Sequence, residues 1–466
     1  MYLWAVRALV HRNPSRHSSS QCLDHLFPSC FPNLPVVDRR RRSVHHGGGP
    51  EAEAEAVVEP KAPTWAEAQA LKKQISLIGQ KVGELYMMTK DEKFFSGLSE
   101  AEREVKVAEV MQERLDLMRE ARRLASVMRD PDFSGMSEAD RAAEAERLRQ
   151  EEREKALRLQ MAGDPEGLRM EGSARILDFD PKQRGRYYNR CFFVDLATFD
   201  LDEESPLGPM RFTNADYDKD NIPELCEAVN ILSVKIACSD VGFPIQVYGT
   251  VIARDCIDKK CVYLFRRDRD HCQLINSKSE PLILTGPKRG LVLLDDNYVE
   301  TDLKIKDNQG QDRELSKGII MIRGVASRSL KECEVERKSL ATRLSTVDVL
   351  YAVVKDAVEA TIVIKILRGK FDGRITAHTT SIQKKLVLYD SKVAGTKTSH
   401  GGLMRMMRRV LSVYLLDMLI IEAKTDDGKS VRRIEFTPMI SRADEYTITV
   451  GATKMNVMVV WSMMDP

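Results

Sequence analysis

The chain has 466 residues, enough for two or three domains of ordinary size. Charged residues make up 30% of it, yet the formal net charge is only +2, so no global charge draws it to nucleic acid or to a membrane surface. Nine cysteines, with no Cys-x-x-Cys pair and no Asn-x-Ser/Thr acceptor beside them, argue against a zinc ribbon or a disulfide framework; they place the chain in a reducing, intracellular compartment, cytoplasm or nucleus.

Residues 1–63 read as a disordered basic tail, because their Arg, Ser, His, Pro and Gly content leaves too little apolar surface to offset the entropy of ordering. The first fifty hold seven Arg and no Lys against Asp24 and Asp38. The opening Met1-Tyr2-Leu3-Trp4-Ala5-Val6-Arg7 has the apolar, acid-poor composition of an organellar transit segment, which makes mitochondrion or plastid the alternative compartment. The run Arg39, Arg40, Arg41, Arg42 is a candidate contact for RNA phosphates or a nuclear address, set against a plain solvated charge block. The longest apolar run, residues 410–421, contains Asp417 and falls short of the roughly 20 residues a transmembrane helix needs, so none is expected.

Residues 64–160 are predicted to be helical. Thr64-x-x-Glu67 forms a capping box, and behind it Leu71, Ile75, Ile78, Val82 and Leu85 recur at spacings of 4, 3, 4 and 3, the seam of a coiled coil or helix pair. Self-association or docking of a protein partner is assigned to that seam. Phe95-Ser96-Gly97-Leu98-Ser99-Glu100 recurs as Phe133-Ser134-Gly135-Met136-Ser137-Glu138, with Ser99 and Ser137 as N-caps. The helix after Ser99 carries an apolar face of Val107, Met111, Leu115 and Met118. The one after Ser137 is nearly all Glu, Arg and Ala, a pattern that suits a helix standing free in water on i,i+4 pairs.

Residues 161–224 read as a connector. Within it Arg184, Arg186 and Arg190 alternate with Tyr187 and Tyr188, a combination that grips phosphates and stacks on bases; the plainer reading is the lead-in to a strand.

From residue 225 onward a pattern is written twice. Gly249 in Tyr248-Gly249-Thr250-Val251 matches Gly373 in Asp372-Gly373-Arg374-Ile375. Lys259-Lys260 matches Lys384-Lys385, and Arg289 matches Arg409, giving offsets of 124, 125 and 120. Three landmarks kept in order argue for a tandem duplication. Strand patterns of five to nine residues alternate with turns throughout, as in β-sandwiches. The fold class is therefore a mainly β carboxy-terminal region of tandem sandwich-like modules, residues 225–335 and 336–466, behind the helical or coiled-coil region and the disordered tail.

The phrases Val247-Tyr248-Gly249-Thr250-Val251-Ile252-Ala253-Arg254-Asp255, Leu284-Thr285-Gly286-Pro287, Asp302-Leu303-Lys304-Ile305-Lys306, Val358-Glu359-Ala360-Thr361-Ile362 and Val459-Val460-Trp461-Ser462 resemble the plant domain-of-unknown-function 6598 family, abundant in grasses. The resemblance covers roughly residues 225–465. It implies a plant protein in a stress or defence setting, since some relatives carry a ribosome-inactivating domain ahead of this one, and it transfers no active-site residues.

No motif for catalysis stands out. Gly428-Lys429-Ser430 lacks the upstream Gly of a phosphate-binding loop and reads as a hairpin turn. Cys256, Cys261, His271 and Cys272 match no common zinc spacing, and Glu100/Arg103 and Glu146/Arg149 fit solvated helix pairs better than an N-glycosidase dyad. The reading is a non-enzymatic interaction protein with no cofactor and no metal. The alternative is an RNA- or ribosome-directed enzyme or RNA-binding protein.

Overall fold

Local chemistry opens each long helix. The Thr64 amide donates to Glu67 Oε2 at 2.7 Å, the Ser99 amide to Glu102 Oε2 at 2.9 Å, and the Ser137 amide to Asp140 Oδ2 at 3.2 Å. In return each N-cap hydroxyl accepts from the amide three residues on. These reciprocal bonds satisfy amides that no helical carbonyl can reach. They start α1 (Trp65–Met88), α2 (Glu100–Val127) and α3 (Glu138–Met161). The computed structural model describes residues 64–89, 92–97, 99–127, 135–164, 166–215, 224–307, 310–324, 331–394 and 400–464. The basic tail, Arg39 to Arg42 included, lies outside the described residues.

Helices α1 and α2 pack on each other, with Lys81 Nζ 3.2 Å from Glu113. On α1, Leu85 is buried and Leu71, Ile75, Ile78 and Val82 are half-buried. On α2 the covered stripe is Val107, Val110, Arg114, Leu117, Ala121 and Leu124, a run at spacings of 3 and 4. The expected face of Met111, Leu115 and Met118 is instead exposed, at 41%, 49% and 36%. Two stripes on α2 have helical periodicity, and only the packing of α1 decides which is covered.

The charged helix does not stand free. Its alanines form a low-profile face: Ala145 and Ala156 are buried, and a Cβ on Gly167 of α4 (Glu166–Ile176) would lie 2.6 Å from the Ala156 carbonyl. Arg149 Nε donates to the Leu177 carbonyl at 2.8 Å. The stretch read as a connector thus continues as α4 and a hairpin of β1 (Leu177–Asp180) and β2 (Gly185–Tyr188). Cys191, Leu196 and Leu201 beyond it pack on Ile176 and Tyr298.

The carboxy-terminal region is built of antiparallel sheets. The first pair uses β3 (Ala228–Ser239), β4 (Ile245–Arg254), β5 (Val262–Arg267), β6 (Gln273–Ile275), β7 (Leu291–Val292), β8 (Asn297–Ile305), β9 (Arg313–Ile322), β10 (Glu334–Thr342) and β11 (Ser345–Val354). One sheet has the order β10-β11-β3-β7 and the other β5-β4-β8-β9, with β6 on β4. Alternate residues of both, such as Val234, Val251, Leu264, Leu303 and Val349, meet in one core.

The second pair uses β12 (Ala357–Arg368), β13 (Gly373–Thr379), β14 (Leu386–Asp390), β15 (Val410–Tyr414), β16 (Leu419–Thr425), β17 (Val431–Phe436), β18 (Ala443–Val450) and β19 (Thr453–Ser462), with a one-turn helix α5 (Ser391–Ala394). Its sheets run β18-β19-β12-β15 and β14-β13-β16-β17. Apart from β6, which has no counterpart, this is the strand order of the first pair. Ile362 and Ile364 enter its core with the wholly buried Trp461, while Lys365, next along the strand, is exposed.

β10 pairs with β11 and β11 with β3, so residues 334–354 lie in the first pair of sheets. Residues 282–284 form a loop, held where the Leu282 amide donates to Val234 O at 2.8 Å.

The two sandwiches are joined through buried polar groups. Asn230 Nδ2 on β3 donates to the Ser412 carbonyl on β15 at 2.7 Å, and the Ser412 amide returns a bond to Asn230 Oδ1 at 2.9 Å. Glu359 on β12 accepts from the amides of Gly290 at 2.6 Å and Met210 at 2.7 Å.

Candidate functional site

Each sandwich buries an arginine ahead of the strand at the edge of its β3- or β12-containing sheet, and the two differ in their partners. In the first, β4 ends in Arg254 followed by Asp255, both fully buried. Arg254 Nε donates to Glu300 Oε1 at 2.8 Å. Arg289 lies two residues ahead of β7 and is 1% exposed. It grips Asp255 with both ends of its guanidinium, Nη1 to Oδ2 at 2.5 Å and Nη2 to Oδ1 at 2.9 Å, and reaches Asp258 at 3.3 Å. Forked pairing of this kind offsets the desolvation of both charges.

In the second sandwich Thr379 stands six beyond Gly373, as Asp255 does beyond Gly249, and a buried arginine, Arg408, lies two residues ahead of β15. Arg408 is not the counterpart of Arg289. Its amide donates to Leu388 O as that of Gly286 does to Leu264 O, and the Leu415 amide on Asp356 O repeats that of Leu293 on Glu227 O, which puts Leu411 opposite Arg289 and removes the third landmark, Arg289 with Arg409. Arg408 is 5% exposed. Its Nε and Nη2 are buried without a hydrogen-bond partner among the described residues. The carboxylate that serves Arg289 has no equivalent here, since the Thr379 hydroxyl accepts from the Ile382 amide at 3.1 Å. Burial pushes the Arg408 pKa down to about 10, which still leaves it charged at neutral pH.

Arg408 lines a cavity of about 510 Å³ between the sandwiches. One wall is Lys235 of β3 and the loop 279–284, which Gln273 pins by donating to Pro281 O at 3.0 Å and accepting from the Ile283 amide at 2.8 Å. The other is Lys384, Lys385, Val387 and Met407. The carboxylates present are Asp390, which takes Arg374 at 2.6 Å, and Glu280, which accepts from the Asn276 amide at 2.8 Å. Lys385 pairs with Glu422 at 2.8 Å.

The residues singled out from the sequence lie elsewhere. Arg190 donates to Glu300 at 3.2 Å, Asp202 at 2.8 Å and the Leu201 carbonyl at 2.7 Å, which ties the segment after β2 onto the first sandwich. Arg184 caps a short turn with φ +58°, and Arg186 is exposed on β2. Tyr187 donates to the Lys317 carbonyl at 2.8 Å, and Tyr188 packs on Phe192. The seam from Leu71 to Leu85 faces α2. Cys256 and Cys261 have thiols that burial pushes up, and Cys261 Sγ donates to Leu201 O at 3.1 Å. Among the described residues no cluster of His, Cys, Asp and Glu is placed to hold a metal ion, and no helix is long and apolar enough to cross a membrane. The run Met404-Arg405-Met406-Met407-Arg408-Arg409 reads in the sequence as a basic, adaptable surface for an acidic partner or RNA, and no local signature marks Arg408 within it as buried.

With this geometry in hand, comparison with family models matches residues 228–459 to a domain of unknown function, DUF6598. These residues form a domain of the DUF6598 family. Its bounds take in the sheets from β3 to the greater part of β19, and with them Arg289, Arg408 and the cavity. Comparison with curated proteins finds no match for the chain. Among solved structures, human GIVD cytosolic phospholipase A2 is similar at 10% identity over 52% of this chain and 30% of that one, with a TM-score of 0.19. Its complex with methyl gamma-linolenyl fluorophosphonate gives 11%, 52%, 33% and 0.19. A C2 domain is similar at 11% identity over 23% of this chain and 98% of that one, with a TM-score of 0.16. The chain thus spans about a third of the phospholipase's length, and likenesses this low bear on neither the fold nor the activity of the DUF6598 region.

Proposed function

We propose that this is a non-enzymatic interaction protein: two sandwiches that arose by tandem duplication form a rigid platform, and the α1–α2 helix pair in front of them associates with a second copy of the chain. The duplication is supported by the shared strand order and by a shared irregularity, since the register of β4 on β5 shifts between Val251 and Ile252 and that of β13 on β14 between Ile375 and Thr376, 124 residues on. A binding role in place of catalysis is supported by the use made of the buried charges. Arg254, Arg289 and Arg343 each pair with buried carboxylates, Glu300, Asp255 and Asp178, that brace the structure.

The observation that carries self-association is the exposed stripe Met111, Leu115 and Met118. Apolar residues at spacings of 4 and 3 on the open side of a helix already paired along its other stripe form a second seam, which buries its surface only against another helix. Sedimentation of the protein against Met111→Glu/Leu115→Glu/Met118→Glu tests this. The unaltered protein should sediment as a concentration-dependent dimer and the triple variant as a monomer with unchanged circular dichroism; a monomer in both cases refutes it. Treatment of ribosomes with the protein followed by aniline should release no RNA fragment, and a released fragment would restore the enzyme reading.

A further inference from the structure

We propose that the cavity between the two sandwiches is a binding site for a phosphate monoester, with Arg408 as the buried anchor and Lys235 and Lys384 as cations at its rim. The inference rests on three observations independent of the helix pair. The first is the contrast between two buried arginines: Arg289 is supplied with an internal carboxylate, whereas Arg408 has buried donors with no partner among the described residues. A protonated guanidinium held 95% out of water with two donors unused is costly, and the cost falls when an anion from solution pairs with it.

The second is the surroundings. Arg374 is held by Asp390 and Lys385 by Glu422, but Lys235 and Lys384 have no ion-pair partner among the described residues. Three cations lining one cavity without ion-pair partners among the described residues suit a dianion better than a single carboxylate, and a guanidinium matches the oxygens of a phosphate in a forked geometry. The third is size. About 510 Å³ exceeds what inorganic phosphate fills and lies in the range of small-molecule sites. Leu282, Val387 and Met407 give the rest of the wall an apolar surface, so the ester group carries a small hydrocarbon or ring. The chemistry is shared by a soluble phosphate ester and by a lipid with a terminal phosphate.

The test uses the full chain with phenyl phosphate and inorganic phosphate by calorimetry, and with phosphatidylcholine vesicles carrying phosphatidic acid by co-sedimentation. Phenyl phosphate should bind one to one, more tightly than inorganic phosphate, and the affinity should fall at least ~10-fold in Arg408→Gln. Binding to the phosphatidic acid vesicles alone, with the same dependence on Arg408, upholds the site and assigns its ligand to a lipid headgroup. Without ligand, Arg408→Met should raise the unfolding midpoint by a few degrees because an uncompensated charge is removed, whereas Arg289→Met should lower it. If Arg408 variants fail to fold, Lys235→Gln/Lys384→Gln decides, since neither lysine is buried. Absence of binding to every probe, binding unchanged in both sets of variants, or a midpoint that falls as far in Arg408→Met as in Arg289→Met overturns the proposal.

Discussion

Gly249 and Gly373 meet the same obstacle 124 residues apart. A Cβ on Gly249 would lie 2.1 Å from the Asp302 carbonyl oxygen of β8, and one on Gly373 would lie 2.1 Å from the Lys424 carbonyl oxygen of β16. Each glycine pairs with the residue after that carbonyl, Leu303 and Thr425. The close approach is of backbone to backbone, so no rotamer change relieves it. Gly249→Ala and Gly373→Ala should each cost about 2–4 kcal/mol in urea unfolding. A loss below ~1 kcal/mol at either site would mean that the strands can part locally.

The Asp255–Arg289 pair yields a second expectation. Asp255 also accepts from the Val292 amide at 3.0 Å, so it anchors β7 as well as the guanidinium. Asp255→Ala leaves a buried arginine with only Asp258, at 3.3 Å, as counter-charge and should destabilise the protein by about 3–5 kcal/mol. Asp255→Ala/Arg289→Met should recover much of that loss. A double variant no more stable than the single would show that the amide bond, not the charge, is the larger contribution.

The reciprocal bonds between Asn230 and Ser412 link the two sandwiches. In Asn230→Leu a buried amide and a buried carbonyl of the second sandwich lose their partners, at about 1–3 kcal/mol each. Since these groups span the modules, the loss should appear as separation of one thermal transition into two in calorimetry. A single transition shifted as a whole would place the coupling elsewhere.

His378 predicts a pH response. Burial, with Lys385 and Arg433 nearby, holds its pKa below the usual histidine value, and Nδ1 has no partner among the described residues. In the folded state it therefore binds a proton less readily than in the unfolded chain. Its contribution is intact above the unfolded pKa of about 6.5 and is lost as pH falls toward the folded pKa. The unfolding midpoint should decline from pH 7 to pH 5, and more shallowly in His378→Phe. Equal slopes would assign the decline to carboxylates.

Much of the local structure was legible. The caps at Thr64, Ser99 and Ser137 follow from a side chain and an amide three residues apart, and the hairpin turn at Gly428 from a glycine whose φ is +70°. The alternation around Ile362, Ile364 and Lys365 also reads directly as inward and outward faces. Less was legible wherever two equivalent local patterns compete. Val107 and Met111 both begin helical stripes on α2, and the alanines of α3 suit either water or a close-packed neighbour.

What the amino-acid order settled by itself was set by contacts within a few residues: helix starts, strand periodicity, turns, and the two-fold repetition of Gly249 in Gly373. What only the tertiary structure decided was which surfaces are covered and which charges have partners. The assignment of β10 and β11 to the first sandwich is of that kind. So is the isolation of Arg408, because both depend on residues a hundred or more positions away. The free energy of a buried charge is set by what surrounds it in space, and a guanidinium carries no mark in the sequence of whether a carboxylate will reach it.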